Sequence, residues 1–127
     1  MNLEKVVFGF FIVLAATMNF GFFIGDIDNP VHHDVFELFV AIVVNLIATV
    51  LKFGDRTQIG AIHLATSLVA DLQLIAAAIY WAYSVHVSGV GMTPGVTASV
   101  VSLAAGAMLA NVVSVVILIA ETVMMRR

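Results

Sequence analysis

The chain has 127 residues and a net charge of −3; 62% of its residues are hydrophobic and 10% are charged. A soluble domain is about half apolar and about a quarter charged, so the composition excludes an ordinary water-soluble domain and indicates an integral membrane protein. The chain has no excess of basic residues, which argues against nucleic acid as a partner, and no cysteine, which excludes disulfides and thiolate metal sites.

Four apolar stretches are long enough to cross a hydrocarbon core, which takes about 20 helical residues. They predict helices over about 6–25, 35–53, 59–83 and 96–123. The connections between them are too short to hold a soluble domain. We therefore expect one all-α domain over 1–127 with four transmembrane helices.

The basic residues all fall at one end of the predicted helices. They are Lys5, Lys52, Arg56, Arg126 and Arg127. By the positive-inside rule, both termini and the connection between the second and third helices are predicted to be cytoplasmic. The expected location is a bacterial-type plasma (inner) membrane.

An acidic residue, Asp71, lies near the middle of the third predicted helix. A carboxylate at that depth costs at least about 2.5 kcal/mol on insertion scales, and such residues commonly mark ion or proton pathways. His63 and Ser67 precede it at intervals of four, so the three side chains are predicted to form one polar stripe. Gln73 lies on a different face of the same helix and is a further candidate for the pathway.

Two amides, Asn45 and Asn111, lie near mid-depth in the second and fourth predicted helices. We expect them at about the level of Asp71, where they would line a pathway. The alternative is that they join helices through hydrogen bonds, which are worth about 0.6 kcal/mol each. Asp71 itself has a structural alternative, as a protonated and hydrogen-bonded acid.

The connection between the first two helices is rich in acidic residues and histidines. Its carboxylates, with one from the start of the second helix, predict a negative vestibule that attracts cations: Asp26, Asp28, Asp34 and Glu37. His32, His33 and Asp34 are weak candidates for a metal site, because their spacing matches no established ligand motif. The alternative is a solvated hairpin in which Asp34 caps the second helix.

The fourth predicted helix carries small residues at four-residue steps. These residues are Ser102, Gly106, Ala110 and Ser114. Small side chains let helix backbones approach closely in membranes, so the pattern predicts a helix-packing surface.

The sequence contains no catalytic motif, so we expect neither an enzyme nor a bound cofactor. The favoured function is a small homo-oligomeric cation channel or cation transporter with Asp71 in the permeation or exchange path. Four short helices enclose little volume, so copies are expected to assemble with Asp71 at an axis or subunit seam. The expected partners are the lipid bilayer, further copies of the chain and an inorganic cation. The alternative function is a non-transporting accessory or structural subunit of a larger membrane complex.

Overall fold

The computed structural model describes residues 3–26 and 28–125, and within them all side chains except those of His32 and Met125. The described chain is helical, with four long helices: α1 (Leu3–Phe23), α2 (Val35–Lys52), α3 (Gln58–Ala82) and α4 (Pro94–Met125). All four are long and apolar enough to cross a membrane. The four predicted helices are therefore confirmed, with ends that differ from the prediction by only a few residues.

Side-chain caps fix where two of the helices begin. Asp34 Oδ1 accepts a hydrogen bond from the backbone N–H of Phe36 at 2.9 Å, at the start of α2. Thr57 Oγ1 accepts one from the backbone N–H of Gly60 at 2.9 Å, at the start of α3. Each cap satisfies a backbone donor that the first helical turn leaves unpaired. The capping role predicted for Asp34 is confirmed.

The connections contain short turns and glycines in the left-handed region. A 3₁₀ turn over Pro30–His32 leads into α2, and a π-helical turn over Tyr83–Val87 extends α3. Gly25, after α1, has φ 105°, and Gly54, after α2, has φ 89°. These conformations favour glycine because a Cβ atom would strain them, and they allow the chain to reverse direction in few residues.

The helices form an antiparallel four-helix bundle. Each helix packs against its neighbours in the chain, and α4 closes the bundle against α1. We call the end that carries Lys5, Lys52 and Arg56 the basic end, and the end that carries Asp26 and Asp34 the acidic end. The other two basic residues used for the orientation, Arg126 and Arg127, lie outside the described residues.

Most of the apolar core lies in the acidic half of the bundle. This apolar cluster is formed by Phe22, Leu38, Ala41, Ala70, Leu74, Ala77, Val96, Val100, Val101, Ala104 and Ala107. A smaller apolar cluster of Phe8, Ile12 and Ala48 lies toward the basic end. Polar side chains are buried in the interior of the bundle as well.

Candidate functional site

Polar side chains from three helices are buried together in the interior of the bundle. Each is no more than 6% exposed: Asn45 and Thr49 on α2, His63, Ser67 and Asp71 on α3, and Asn111 and Ser114 on α4. We call these seven residues the polar column. A buried polar group destabilises a fold unless it is hydrogen-bonded, so such a concentration of them calls for an explanation.

The α3 residues of the polar column form one continuous stripe. His63, Ser67 and Asp71 recur at four-residue intervals, and they are 1%, 0% and 6% exposed, respectively. Since a helix rises 1.5 Å per residue, the stripe spans about 12 Å along the bundle. The stripe faces the interior of one chain's bundle, rather than the seam between copies expected from the sequence.

Asp71 lies opposite Thr49 of α2. The distance from Thr49 Oγ1 to Asp71 Oδ2 is 2.5 Å, and Thr49 Oγ1 also lies 2.8 Å from the carbonyl oxygen of Asn45. The second carboxyl oxygen, Asp71 Oδ1, is buried and has no hydrogen-bond partner among the described residues. Asp71 is therefore hydrogen-bonded through one of its two carboxyl oxygens among the described residues.

His63 pairs with Ser114 of α4 near the basic end. The distance from His63 Nδ1 to Ser114 Oγ is 2.5 Å. The other ring nitrogen, Nε2, is buried and makes no hydrogen bond within the described part of the chain. The His63 ring also meets the Phe8 ring edge-on, with centroids 4.9 Å apart.

Two side chains lie between these pairs. Ser67 and Asn111 are fully buried, and their side-chain polar atoms lack hydrogen-bond partners in residues 3–26 and 28–125. Asn111 precedes Ser114 by three residues, and α4 runs antiparallel to α3, so Asn111 lies near the level of Ser67. The polar column thus continues from the His63–Ser114 pair toward Asp71.

The amide of Asn45 lies on the acidic side of Asp71. Its Nδ2 donates to the carbonyl oxygen of Ala41 at 2.9 Å, and its buried Oδ1 is unpartnered among the described groups. Because Asp71 pairs with Thr49, Asn45 lies about one helical turn, or about 5.4 Å, nearer the acidic end. Asn45, Asp71 and Asn111 are therefore staggered along the polar column rather than placed at one level.

The basic end of the polar column is covered by an aromatic ring. The Phe8 ring contacts the His63 ring, and the ammonium group of Lys52 lies 4.3 Å from the Phe8 ring centroid. Lys52 is only 6% exposed, and its Nζ lies 3.5 Å from Asp55 Oδ2. A groove of about 360 Å³ opens above this point. Its lining consists of Glu4, Lys5, Lys52, Gly54, Asp55 and Arg56.

The carboxylate of Asp55, in the turn between α2 and α3, is stabilised by local hydrogen bonds. The backbone N–H of Thr57 donates to Asp55 Oδ1 at 3.0 Å, and the Thr57 hydroxyl donates to the same oxygen at 2.7 Å. These two bonds, helped by the positive charge of Lys52, hold the pKa of Asp55 below its ordinary value of 3.8. Asp55 therefore stays ionised at neutral pH beside Lys52.

Gln73, predicted as part of the pathway, lies outside the polar column. Its half-buried side chain occupies the seam between α3 and α4, where a Cβ added to Gly106 would collide with Gln73 Oε1. Gly106, one member of the predicted packing surface of α4, thus packs against α3. Of the other members of this surface, Ser102 is exposed, Ala110 is half-buried and Ser114 belongs to the polar column.

The carboxylates predicted to form a vestibule lie at the acidic end. Asp26, Asp28 and Asp34 are exposed, whereas Glu37 is half-buried. The Glu37 carboxylate packs on the α1 backbone, where a Cβ added to Gly21 would collide with Glu37 Oε2. The cation-attracting role of these residues stays a prediction.

His33 is engaged by the backbone, which bears on the predicted metal candidates. Its Nδ1 lies 2.5 Å from the carbonyl oxygen of Phe22, and its Nε2 lies 2.7 Å from that of Asp26. Neither nitrogen directs a lone pair at a metal in this arrangement. The side chain of His32 lies outside the described residues. Within the described ranges, no three His, Cys, Asp or Glu side chains gather into a group able to hold a metal ion.

Several residues near the site were not among the predicted pathway residues. Thr49 shares the helix face of Asn45, and this four-residue spacing is the signal that could have identified it. Ser114 was predicted only as a packing residue. Nothing in the sequence distinguishes Phe8 from the other apolar residues of the first helix. Asn19 of α1 is fully buried, with both amide atoms unpartnered among the described residues.

Comparison with known proteins places the chain in one family. No curated protein and no solved structure matches it. A family of unknown function, DUF6394, matches residues 32–122, a range that includes every residue of the polar column. Because the match covers well over half of the chain, the chain belongs to DUF6394.

Proposed function

We propose that this chain is a small cation-transport protein of a bacterial-type plasma membrane, in which Asp71 carries the permeating positive charge along the polar column. The observation that carries the proposal is the burial of this acid in the middle of a membrane-length helix. Such a position costs at least about 2.5 kcal/mol, so an acid placed there is by default a functional group.

The surroundings of Asp71 support transport. A purely structural polar core satisfies its own hydrogen bonds, because an unsatisfied buried group costs about 1–3 kcal/mol. Here Asp71 Oδ1, Ser67 Oγ, His63 Nε2 and both side-chain polar atoms of Asn111 are buried without partners among the described residues. These atoms are suited to water or to an ion that passes along the column.

The charges at the two ends of the bundle favour one orientation in the membrane. The basic end carries Lys5, Lys52 and Arg56, so the positive-inside rule favours a cytoplasmic location for this end and for both termini. The exposed carboxylates of the acidic end would then face outward, where their negative potential raises the local concentration of cations.

Self-association is part of the proposal. Four helices enclose a narrow interior, and membrane helices associate readily through their remaining lipid-facing surfaces. Because the polar column lies inside one bundle, each copy in an oligomer would hold its own polar column, rather than share a central one.

A second candidate function is that of a non-transporting accessory subunit. It is favoured by the low exposure of Asp71, 6%, and by its hydrogen bond to Thr49, which together suit a structural acid that joins α2 to α3.

Reconstitution of the purified protein into liposomes separates the two candidates. A transport protein passes a cation flux above that of empty liposomes, and the flux is lost in Asp71→Asn. An accessory subunit passes none. Asp28→Glu keeps the charge of the acidic end and is expected to leave the flux unchanged. Circular dichroism and size-exclusion profiles of each variant show whether the fold is retained.

A further inference from the structure

We infer that the cation carried by Asp71 is a proton, exchanged between the His63–Ser114 pair and the Asp71–Thr49 pair through the polar column. This inference rests on the proposed function, and it names the ion. Three features support it: the hydrogen bonding of the Thr49 hydroxyl, the small number of acidic groups near Asp71 and the polar atoms between the two pairs.

Thr49 has one hydroxyl hydrogen and two neighbouring oxygens. Its Oγ1 lies 2.5 Å from Asp71 Oδ2 and 2.8 Å from the carbonyl oxygen of Asn45. If Asp71 is protonated, its carboxyl O–H donates to Thr49, and Thr49 donates to Asn45. If Asp71 is ionised, the Thr49 hydroxyl turns and donates to the carboxylate. Rotation of one hydrogen therefore serves both protonation states, without movement of heavier atoms.

The acidic groups are too few for a dehydrated divalent metal ion. Ca²⁺ takes six to eight oxygen ligands, commonly from several carboxylates, and Mg²⁺ requires six. Asp71 is the only acidic residue in the sequence between Asp55 and Glu121. One of its two oxygens is already engaged by Thr49. A proton needs no such ligand set.

The space between the two pairs holds groups that support proton transfer. His63 Nε2 and Asp71 Oδ1 are unpartnered among the described residues, and Ser67 and Asn111 lie between them. Buried water typically makes about three hydrogen bonds to otherwise unsatisfied polar groups, which these side chains provide. The two ends of the stripe are about 12 Å apart, so the transfer must run through water.

The transfer balances in charge and atoms. A proton that enters from the basic end converts the His63 imidazole into imidazolium. The imidazolium N–H bond breaks, and an O–H bond forms on Asp71, with water passing the proton between them. The imidazolium and carboxylate become a neutral imidazole and a carboxylic acid. Breaking that O–H bond by transfer of the proton to a water molecule restores the carboxylate, and the hydronium ion that forms takes the proton away.

The charged groups around the two titrating residues differ. Four act on His63 from the basic end: Lys5, Lys52, Asp55 and Glu121. Asp71 lies farther from the basic end, and its hydrogen-bonding neighbour is the uncharged Thr49. In this scheme the proton therefore enters at His63, and Asp71 receives it deeper in the membrane.

The test is a proton-flux measurement in liposomes that contain a pH-sensitive dye. A potassium gradient and valinomycin impose a negative interior potential, in buffer without sodium. We expect the wild-type protein to acidify the interior. We expect at least a tenfold slower rate for Asp71→Asn, and a slower rate for Thr49→Val that Thr49→Ser restores.

Thr17→Val is the matched control for Thr49→Val. Thr17 is exposed, and its hydroxyl likewise bonds to a carbonyl of its own helix, at 2.8 Å from Leu14 O. We expect it to leave the rate unchanged. If Asp71→Asn does not fold, the comparison of Thr49→Val with Thr49→Ser replaces it as the test. Valine removes the hydroxyl and serine keeps it, so a difference in rate between these two variants reports on the hydroxyl rather than on packing volume.

The remaining outcomes separate this inference from the proposed function. A flux of sodium or potassium that Asp71→Asn abolishes, with no dye response in the wild type, overturns the proton assignment and supports the proposed function. No flux of any cation overturns both. A proton flux that is equal in the wild type and in Asp71→Asn overturns the role of Asp71 in both.

Discussion

Thr49 and Asp71 join α2 to α3 through a 2.5 Å contact between Thr49 Oγ1 and Asp71 Oδ2, beside the apolar cluster that packs the acidic half of the bundle. The contact fixes the axial register of the two helices, because each residue is buried and has few other partners. It also places the intramembrane acid beside a group that can both donate and accept a hydrogen bond. The position of Asp71 thus has a structural consequence and a proposed functional one.

His33 holds the acidic end of α1 to the start of α2. Its two ring nitrogens lie within hydrogen-bonding distance of the carbonyl oxygens of Phe22 and Asp26, and the side chain is 2% exposed. We expect His33→Ala to lower the free energy of unfolding by about 1–3 kcal/mol, since a buried backbone carbonyl loses the imidazole N–H that donates to it. Unfolding in mixed detergent micelles measures this. His86→Ala, at an exposed histidine, is the control, and an equal loss in both variants would refute the role of His33.

Gly106 provides the space that Gln73 occupies in the α3–α4 seam. A Cβ at Gly106 would collide with the Gln73 amide, which is the flexible end of its side chain and can move aside, so Gly106→Ala is expected to destabilise the protein by only about 1 kcal/mol. In a Gln73→Ala background the same change should cost much less. A double-mutant cycle measures this coupling. Strictly additive effects would show that the two residues do not compete for space.

Phe8 contacts both His63 and Lys52 at the basic end of the polar column. If the ring restricts entry to the column, Phe8→Leu should raise the cation flux severalfold while keeping the position apolar. Phe10→Leu, at a side chain that is 61% exposed, is the matched control. Flux assays on proteoliposomes with equal protein content provide the comparison. A flux in Phe8→Leu that stays at the wild-type level would show that this ring is not a barrier.

Asp55 gives the fold a defined dependence on acid. Its pKa is held below 3.8, chiefly by the hydrogen bonds from Thr57. A lowered folded-state pKa means that the stabilisation is present above the unfolded-state value and is lost as the pH falls through the folded-state pKa. We therefore expect the wild type to lose stability below about pH 4.

The control for this acid dependence is Asp55→Asn, which should lack that component while it shows a lower stability at neutral pH. Unfolding measured at several pH values from neutral to acidic, in the same detergent mixture, tests the difference. A wild type and a variant with parallel pH profiles would show that another group is responsible.

The sequence predicted the helices well, for a physical reason. A span of about 20 apolar residues has few alternatives to a membrane helix, and the capping role of Asp34 follows from its place just ahead of such a span. The four-residue spacing of His63, Ser67 and Asp71 also placed them on one face. The extent of a helix and the face that its residues share both depend on that helix alone, so the local sequence is enough to predict them.

The contacts between helices were not predictable in the same way. Helical periodicity gives the face on which a residue lies, but it leaves open the rotation and axial shift of one helix against the next. Asn45 and Thr49 share a face, and only the packed register shows that Thr49 meets Asp71. The same limitation explains why Ser114 was assigned to packing and Gln73 to the pathway.

The most direct test of the central claim is the voltage-driven cation flux per protein molecule in the wild type and in Asp71→Asn, with both proteins folded and reconstituted at equal density. If Asp71 carries the permeating charge, the flux falls at least tenfold in Asp71→Asn. Equal flux in the two proteins, or no flux in either, would contradict the account.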